Sequence, residues 1–180
     1  SVFYHGHKIN TDEERGEFDV REAEKRIKLQ DDFSERTGIP CMVDVVGATP
    51  AAMVRHLEFA AAATTAPLLI DGTTDEVRLA GLRYVAEAGL AHRAVYNSIQ
   101  PEISDAELTA VRDAGVQNAI VLTYYMKDFT AQGRVVCLHE LLPKLRAANI
   151  HHLMVDTCVL DLATMGQACS AMHDIKEQFG

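Results

Sequence analysis

Leu68-Leu69-Ile70-Asp71-Gly72-Thr73 is an apolar run that ends in a carboxylate, a glycine and a hydroxyl. A short, continuously apolar run bounded in this way is typical of a strand buried on both faces of a parallel sheet. The stretch therefore predicts a buried strand that brings Asp71 to the mouth of a pocket.

Four further stretches have the same form: residues 41–44, 94–98, 119–124 and 152–157. The polar end positions of the five stretches lie 26 to 32 residues apart and are Asp44, Asp71, Asn97, Tyr124 and Asp156. Each interval has room for one loop, one helix and one strand. With a partial strand at residues 1–4, the chain contains six strand-helix units.

Helix start and stop signals separate these strands. Asp19 with Glu22, and Ser104 with Glu107, are capping-box patterns. Helices are predicted over residues 19–38, 50–63, 74–89, 104–115, 135–148 and 162–179, and a polar loop over residues 10–18. Because crossovers between parallel strands are right-handed, this alternation predicts a parallel sheet covered by helices.

Composition limits the class of protein. The 180 residues are 48% hydrophobic and show no linker, so we expect one domain over residues 1–180, incomplete at both ends. The net charge of −9 and the scattered basic residues argue against nucleic-acid binding. No apolar run approaches the roughly 20 residues that a membrane span requires, and no signal segment opens the chain, which predicts a soluble, cytoplasmic protein.

Two architectures fit this alternation: an open doubly wound sheet and a (β/α)8 TIM barrel. A doubly wound nucleotide-binding sheet predicts a G-x-G-x-x-G turn, which is absent. A barrel predicts polar residues at the carboxyl ends of many strands, as found here. The pattern favours the barrel, with about six of its eight units in this chain, and an open sheet remains the alternative.

The polar strand ends are the candidates for chemistry, because the sequence contains no G-x-S-x-G, H-E-x-x-H or P-loop motif. Two or three carboxylates and an amide suit the edge of a flat heterocycle such as a pterin, whose paired N–H groups they can bind. The four cysteines form no zinc pattern, and we interpret them as free thiols. A metal at His5 and His7 is a minor alternative, since no third ligand has a recognisable spacing.

Each candidate residue also has a purely structural interpretation. Asp71 and Asp156 could cap the helices that follow them, and Asn97 could stabilise a turn. Tyr124 and Tyr125 are better interpreted as packing residues than as catalysts.

Five blocks of sequence, residues 3–9, 40–44, 66–71, 93–99 and 154–157, resemble the H-subunit family of tetrahydromethanopterin S-methyltransferase. This family includes the corrinoid protein:tetrahydrofolate methyltransferases of the glycine betaine pathway. The resemblance implies a barrel similar to dihydropteroate synthase, with a pterin held by Asp71, Asn97 and Asp156, and with Asp44 as an additional polar strand end at the site. The resemblance also implies an asparagine near the pterin N5 on a later strand, beyond residue 180, so no catalytic residue is assigned in this chain.

The reaction implied by the resemblance moves a methyl group between a corrinoid carried by a partner protein and N5 of a tetrahydropterin. Tetrahydrofolate is favoured over tetrahydromethanopterin, no metal of the chain's own is expected, and a homodimer is expected. Two alternatives stay open. One is a non-catalytic pterin-binding or assembly subunit, and the other is a pterin-condensing synthase, which should carry a basic phosphate site that is not evident.

Overall fold

A computed structural model describes all residues from Ser1 to Gly180. The strands are β1 (Asn10–Asp12), β2 (Glu17–Phe18), β3 (Val43–Gly47), β4 (Leu68–Gly72), β5 (Ala94–Ile99), β6 (Asn118–Leu122) and β7 (His152–Asp156). The α-helices are α1 (Val20–Thr37), α2 (Pro50–Ala63), α3 (Asp75–Glu87), α4 (Asp105–Asp113), α5 (Ala131–Ala147) and α6 (Leu162–Phe179). One turn of 3₁₀ helix, Ala91–Arg93, precedes β5.

Strands β3 to β7 form one parallel sheet in which spatial order follows chain order. Val2 extends the sheet beyond β3 through a single parallel bridge to Val45. A doubly wound sheet reverses its strand order at a switch point, and no reversal occurs among these strands. The order is therefore compatible with a TIM-type barrel, although the outer strands β3 and β7 are not paired with each other.

Local signals place most of the helix starts as predicted. The side chains of Asp19, Thr49 and Ser104 each accept a hydrogen bond from a backbone N–H in the first turn of the helix that follows. Asp161 and Thr164 form a reciprocal capping box at the start of α6. None of the six helices is both long enough and apolar enough to cross a membrane.

Four sequence-based predictions are wrong in detail. The Glu22 side chain does not close a capping box with Asp19, since the Asp19 N–H donates to the carbonyl of Ile9 and the Glu22 carboxylate pairs with Lys25 and Arg26. Residues 10–18 were expected to be a loop, but they form the short antiparallel hairpin of β1 and β2. Helix α5 begins at Ala131 rather than Val135, because the Thr130 hydroxyl caps it. The Glu107 side chain does not close a capping box, since its carboxylate accepts hydrogen bonds from Arg78 and Tyr96.

Helix α3 lies very close to the sheet at Gly81. An added Cβ there would lie 2.5 Å from Cγ2 of Ile70 and 3.2 Å from Cγ of Met53. Both neighbours are buried core side chains. This approach of α3 to β4 therefore requires a residue without a side chain.

The close approach predicts different stabilities for two glycine-to-alanine substitutions. Gly166 lies in α6 with no atom within 4 Å of an added Cβ. Both substitutions gain about 1 kcal/mol of helix propensity, but Gly81→Ala also overpacks the core at a cost of about 1–3 kcal/mol. Urea denaturation should show Gly166→Ala to be more stable than the parent and Gly81→Ala less stable than Gly166→Ala. Equal stabilities would contradict the close packing.

Candidate functional site

Asp44, Asp71 and Asn97 lie on one face of the sheet, toward its carboxyl edge. Val46, Asp71 and Asn97 are paired across β3, β4 and β5. Asp44 precedes Val46 by two residues and therefore shares its face. The Asn97 amide donates to Oδ1 of Asp44 at 3.2 Å, so the side chains of β3 and β5 meet over the intervening strand β4. The sheet thus brings three of the four predicted site residues together.

Asp71 differs from Asp44 and Asn97 in its hydrogen bonding and in its pKa. Its carboxylate is half-buried and accepts no hydrogen bond from the protein. Burial, and next the negative charge of Asp44, raise the pKa of Asp71 to about 6, while Arg78 acts in the opposite direction. The structure thus holds an acceptor without a protein partner, whose charge changes near neutral pH.

Asp156 lies at the end of the outer strand β7 and is exposed. Its carboxylate accepts a hydrogen bond from the N–H of Cys158 at 2.8 Å, and its carbonyl accepts from both the N–H and the hydroxyl of Thr123. Pairing with Leu122 places it on the same sheet face as Asn97, two strands away. No hydrogen bond joins it to the other three residues.

The structural interpretations of these residues can now be compared with their contacts. Asp71 does not cap α3, whose N-cap is Thr74, and Asn97 bonds to Asp44 rather than to a turn. Asp156 stabilises the turn at Cys158, whereas Asp161 caps α6.

The two tyrosines after β6 and the two early histidines have structural contacts. The Tyr125 hydroxyl bonds to the carboxylate of Glu140, and the ring of Tyr124 packs at 5.3 Å from that of Phe129. His5 pairs with Glu13. No group of three or more His, Cys, Asp or Glu side chains is placed to hold a metal ion.

Two cavities lie at opposite ends of the sheet. One, of about 510 Å³, is lined by Arg93, Asn118 and His152, at the amino ends of their strands. The other, of about 300 Å³, is lined by Thr73 and Ser98, which follow Asp71 and Asn97. Ligands of parallel α/β sheets bind at the carboxyl ends of the strands. The smaller, polar cavity lies at this end of the sheet but on its helix side, where Arg78 and Glu107 line it, and none of the four predicted site residues lines it.

Sequence reasoning missed a buried arginine beside Asp156. The side chain of Arg134, in α5, is almost completely buried and donates to the carbonyls of four residues: Phe129, Thr130, Thr157 and Cys158. It thereby joins the loop after β6 to the loop after β7. The sequence does contain a signal for the burial of Arg134. It lies four residues before the buried Leu138, and residues four apart share one face of a helix.

Comparisons with known proteins agree with one another. A family model described as the tetrahydromethanopterin S-methyltransferase MtrH subunit matches residues 1–180. The chain is 42% identical over 189 residues to the tetrahydromethanopterin S-methyltransferase H subunit of Methanothermobacter thermautotrophicus, covering 100% of this chain and 61% of the relative. It is 39% identical over 140 residues to the corresponding H subunit of Methanopyrus kandleri, covering 78% and 44%.

A third relative carries a different name. The H subunit of a putative mtx methyltransferase of Methanosarcina mazei is 39% identical over 138 residues, covering 77% of this chain and 44% of the relative. The chain spans about half the length of the relatives it matches.

Proposed function

The chain belongs to the family of the tetrahydromethanopterin S-methyltransferase MtrH subunit, and on this premise we propose that it binds a tetrahydropterin for methyl transfer at N5. The other partner in the transfer would be a corrinoid carried by a separate protein. In this proposal the chain forms part of a (β/α)8 barrel, with the pterin at the carboxyl ends of the strands.

The observation that carries the proposal is the half-buried Asp71 carboxylate without a protein partner, level with Asn97 on one sheet face. The amino-pyrimidinone edge of a pterin presents adjacent N–H donors and a carbonyl. A carboxylate can accept two such N–H groups, and an asparagine amide can both donate and accept. The donor and acceptor types of these side chains therefore fit a pterin edge.

The remaining two acids have different parts in this proposal. Asp44 orients the Asn97 amide through its hydrogen bond, which leaves the Asn97 oxygen free to accept. Asp156 would approach the ring from the outer strand. Because its Oδ1 already bonds to the N–H of Cys158, Oδ2 is the oxygen left for a ligand.

The corrinoid's cobalt supplies the methyl-carrying chemistry when its protein is bound. The contribution of this chain is to hold the pterin by one edge and to orient N5 outward. Such positioning lowers the barrier because the two reactants meet in a fixed geometry.

Two tetrahydropterins share the recognised edge. The names of the relatives specify tetrahydromethanopterin, whereas the resemblance to the glycine betaine pathway enzymes favours tetrahydrofolate. Competition between the two carriers in a calorimetric titration measures the preference directly. The identity of the carrier does not alter the roles proposed for Asp71 and Asn97.

Transfer and simple binding are separated by a two-stage experiment. Calorimetry with tetrahydrofolate and with tetrahydromethanopterin tests binding, and an assay with a methylated corrinoid protein then tests transfer. Binding of neither pterin would refute the proposal. Binding without transfer would favour the alternative of a non-catalytic pterin-binding subunit, which is a specific candidate because the relatives are themselves named as subunits.

The proposal predicts a pH dependence of pterin affinity. Only the ionised Asp71 carboxylate can accept two N–H donors, so affinity should be full well above its pKa of about 6 and fall below it. At pH 5 roughly one tenth of the groups would be ionised, which predicts about a tenfold weaker affinity than at pH 8. Calorimetry at several pH values measures this dependence. An Asp113→Ala variant should retain it, because Asp113 is an exposed acid at the end of α4.

A further inference from the structure

Arg78, in the first turn of α3, contacts the end of β4 and a side chain of β5 at once. Its Nη1 donates to the carbonyl of Gly72 at 2.8 Å, at the end of β4. Its Nε donates to the hydroxyl of Tyr96 in β5 at 2.9 Å and to Oε1 of Glu107 in α4 at 2.8 Å. One planar guanidinium group therefore joins β4, β5 and α4 with a fixed fork of N–H donors, which the compact ammonium group of a lysine lacks.

The partners of Arg78 make this junction rigid. Tyr96 and Glu107 are buried, and the Tyr96 hydroxyl donates to the Glu107 carboxylate. Burial, with the hydrogen bond to Glu107, raises the pKa of Tyr96, so that its hydroxyl stays protonated. An added Cβ at Gly72 would lie 2.8 Å from Cγ1 of Val77 and 3.0 Å from Cγ of Arg78, so the backbone of β4 approaches α3 closely here.

The two strand positions held by Arg78 are the neighbours of site residues. Gly72 follows Asp71, and Tyr96 precedes Asn97. Since successive residues of a strand face opposite sides, contacts made on the helix side fix the backbone from which Asp71 and Asn97 project to the other side.

Arg78 also acts on Asp71 through its charge. The charged side chains around Asp71 are Asp44 from β3 and Arg78 from α3. Asp44 disfavours the ionised carboxylate, and Arg78 favours it.

We propose that Arg78 is a positioning residue of the pterin site, which joins β4, β5 and α4 through hydrogen bonds to Gly72 and Tyr96, the chain neighbours of Asp71 and Asn97. This role rests on the proposed function. It gives Arg78 two separable effects, one on the geometry of the site and one on its charge.

The charge effect is tested without any ligand. We expect the ¹³C NMR titration of the Asp71 carboxyl, assigned with Asp71→Asn, to have its midpoint near pH 6 in the parent. The variants to compare are Glu107→Gln and Arg78→Met/Glu107→Gln, which both lack the Glu107 carboxylate and differ in the Arg78 cation; the double variant also leaves the exposed Asp75 carboxylate without its arginine partner. The midpoint of the double variant should lie at least about half a pH unit above that of Glu107→Gln, because a nearby cation has been lost.

Arg93 provides the matched control. Its guanidinium is also half-buried and donates to the carbonyls of Ala61, Thr64 and Ala66, away from Asp71. Arg93→Met should lower the melting temperature and leave the Asp71 midpoint unchanged. A midpoint in the double variant equal to that of Glu107→Gln, or an equal shift in Arg93→Met, would overturn the charge effect.

The geometric effect is tested with Arg78→Lys, which keeps the positive charge but loses the planar arrangement of guanidinium N–H donors. Calorimetry with tetrahydrofolate at pH 8 should show at least about threefold weaker binding than the parent, with an unchanged Asp71 midpoint. Binding equal to that of the parent would overturn the geometric role. If the double variant does not fold, the binding of Arg78→Lys still tests whether Arg78 positions the site. A parent that binds no pterin would refute the proposed function, while the ligand-free titration would still test the effect of Arg78 on Asp71.

Discussion

Replacing Asp71 by asparagine is expected to weaken tetrahydropterin binding at pH 8 by at least tenfold. The amide has one acceptor oxygen where the carboxylate has two, and its NH₂ group would face the N–H donors of the pterin. Loss of a charge-assisted hydrogen bond costs about 1.5–3 kcal/mol, which corresponds to a change in affinity of roughly ten- to 150-fold. Calorimetry on the parent and the variant measures this difference.

The same substitution should stabilise the ligand-free protein. Because the pKa of Asp71 is raised from its ordinary 3.8 to about 6 in the folded state, ionised Asp71 disfavours folding. A shift of this size corresponds to about 3 kcal/mol for a fully buried group, and partial solvent exposure reduces it to about 1 kcal/mol. Asp71→Asn should therefore melt about 2–4 °C higher than the parent at pH 8.

The sign of this effect can be checked by varying pH. The penalty is fully present above pH 6, declines as the folded protein takes up a proton, and is absent below pH 3.8. The difference in melting temperature between parent and variant should thus shrink from pH 8 to pH 4. A lower melting temperature for Asp71→Asn at pH 8 would mean that the carboxylate has a structural role and would contradict its assignment to ligand binding.

Arg134→Met is expected to destabilise the protein more than any other substitution considered. Burying a cation without a carboxylate partner is unfavourable, so its removal gives back some free energy. However, the carbonyls of Phe129, Thr157 and Cys158 would lose their donor, whereas that of Thr130 keeps the backbone N–H of residue 134. At about 1–3 kcal/mol for each buried acceptor left unpaired, the loss outweighs the gain. We expect the free energy of unfolding to fall by about 3 kcal/mol, which lowers the melting temperature by roughly 6–12 °C.

The location of the change is as informative as its size. Hydrogen exchange should accelerate in the loops after β6 and β7, which Arg134 joins, and less in the strands. Arg146→Met is the matched control, because Arg146 is exposed on the same helix and its substitution should change stability by less than about 0.5 kcal/mol. A melting temperature for Arg134→Met equal to that of Arg146→Met would show that the buried guanidinium does not hold the two loops.

Much of the architecture could be predicted because its signals are local. Five apolar runs at similar intervals, separated by helix caps, predict parallel strands in chain order, and the strand order bears this out. The adjacency of Asp71 and Asn97 could also be expected, since neighbouring parallel strands end at the same edge. The hairpin in residues 10–18 could not, because strands of two and three residues are too short to show a period.

The partners of polar side chains could not be predicted. Ser104 and Glu107 have the spacing of a capping box, but Glu107 turns instead to the half-buried Arg78 and the buried Tyr96, which belong to other elements. Asn97 meets Asp44 over an intervening strand, a contact that depends on how the sheet brings β3 and β5 together. Asp156 lies on β7, the last strand of the sheet, and its carboxylate bonds to the backbone of the turn at Cys158.

The sequence by itself determined the order of the strands and helices, and it determined which strands bear the acids and the amide of the site. These properties follow from hydrophobic periodicity and from backbone hydrogen bonding, which act over a few residues. Only the tertiary structure decided that Asp71 is left without a protein partner while Asp44, Asn97 and Glu107 are each paired. Burial and Coulomb interactions depend on distances between elements far apart in the chain, and those distances exist only after the sheet and helices have packed.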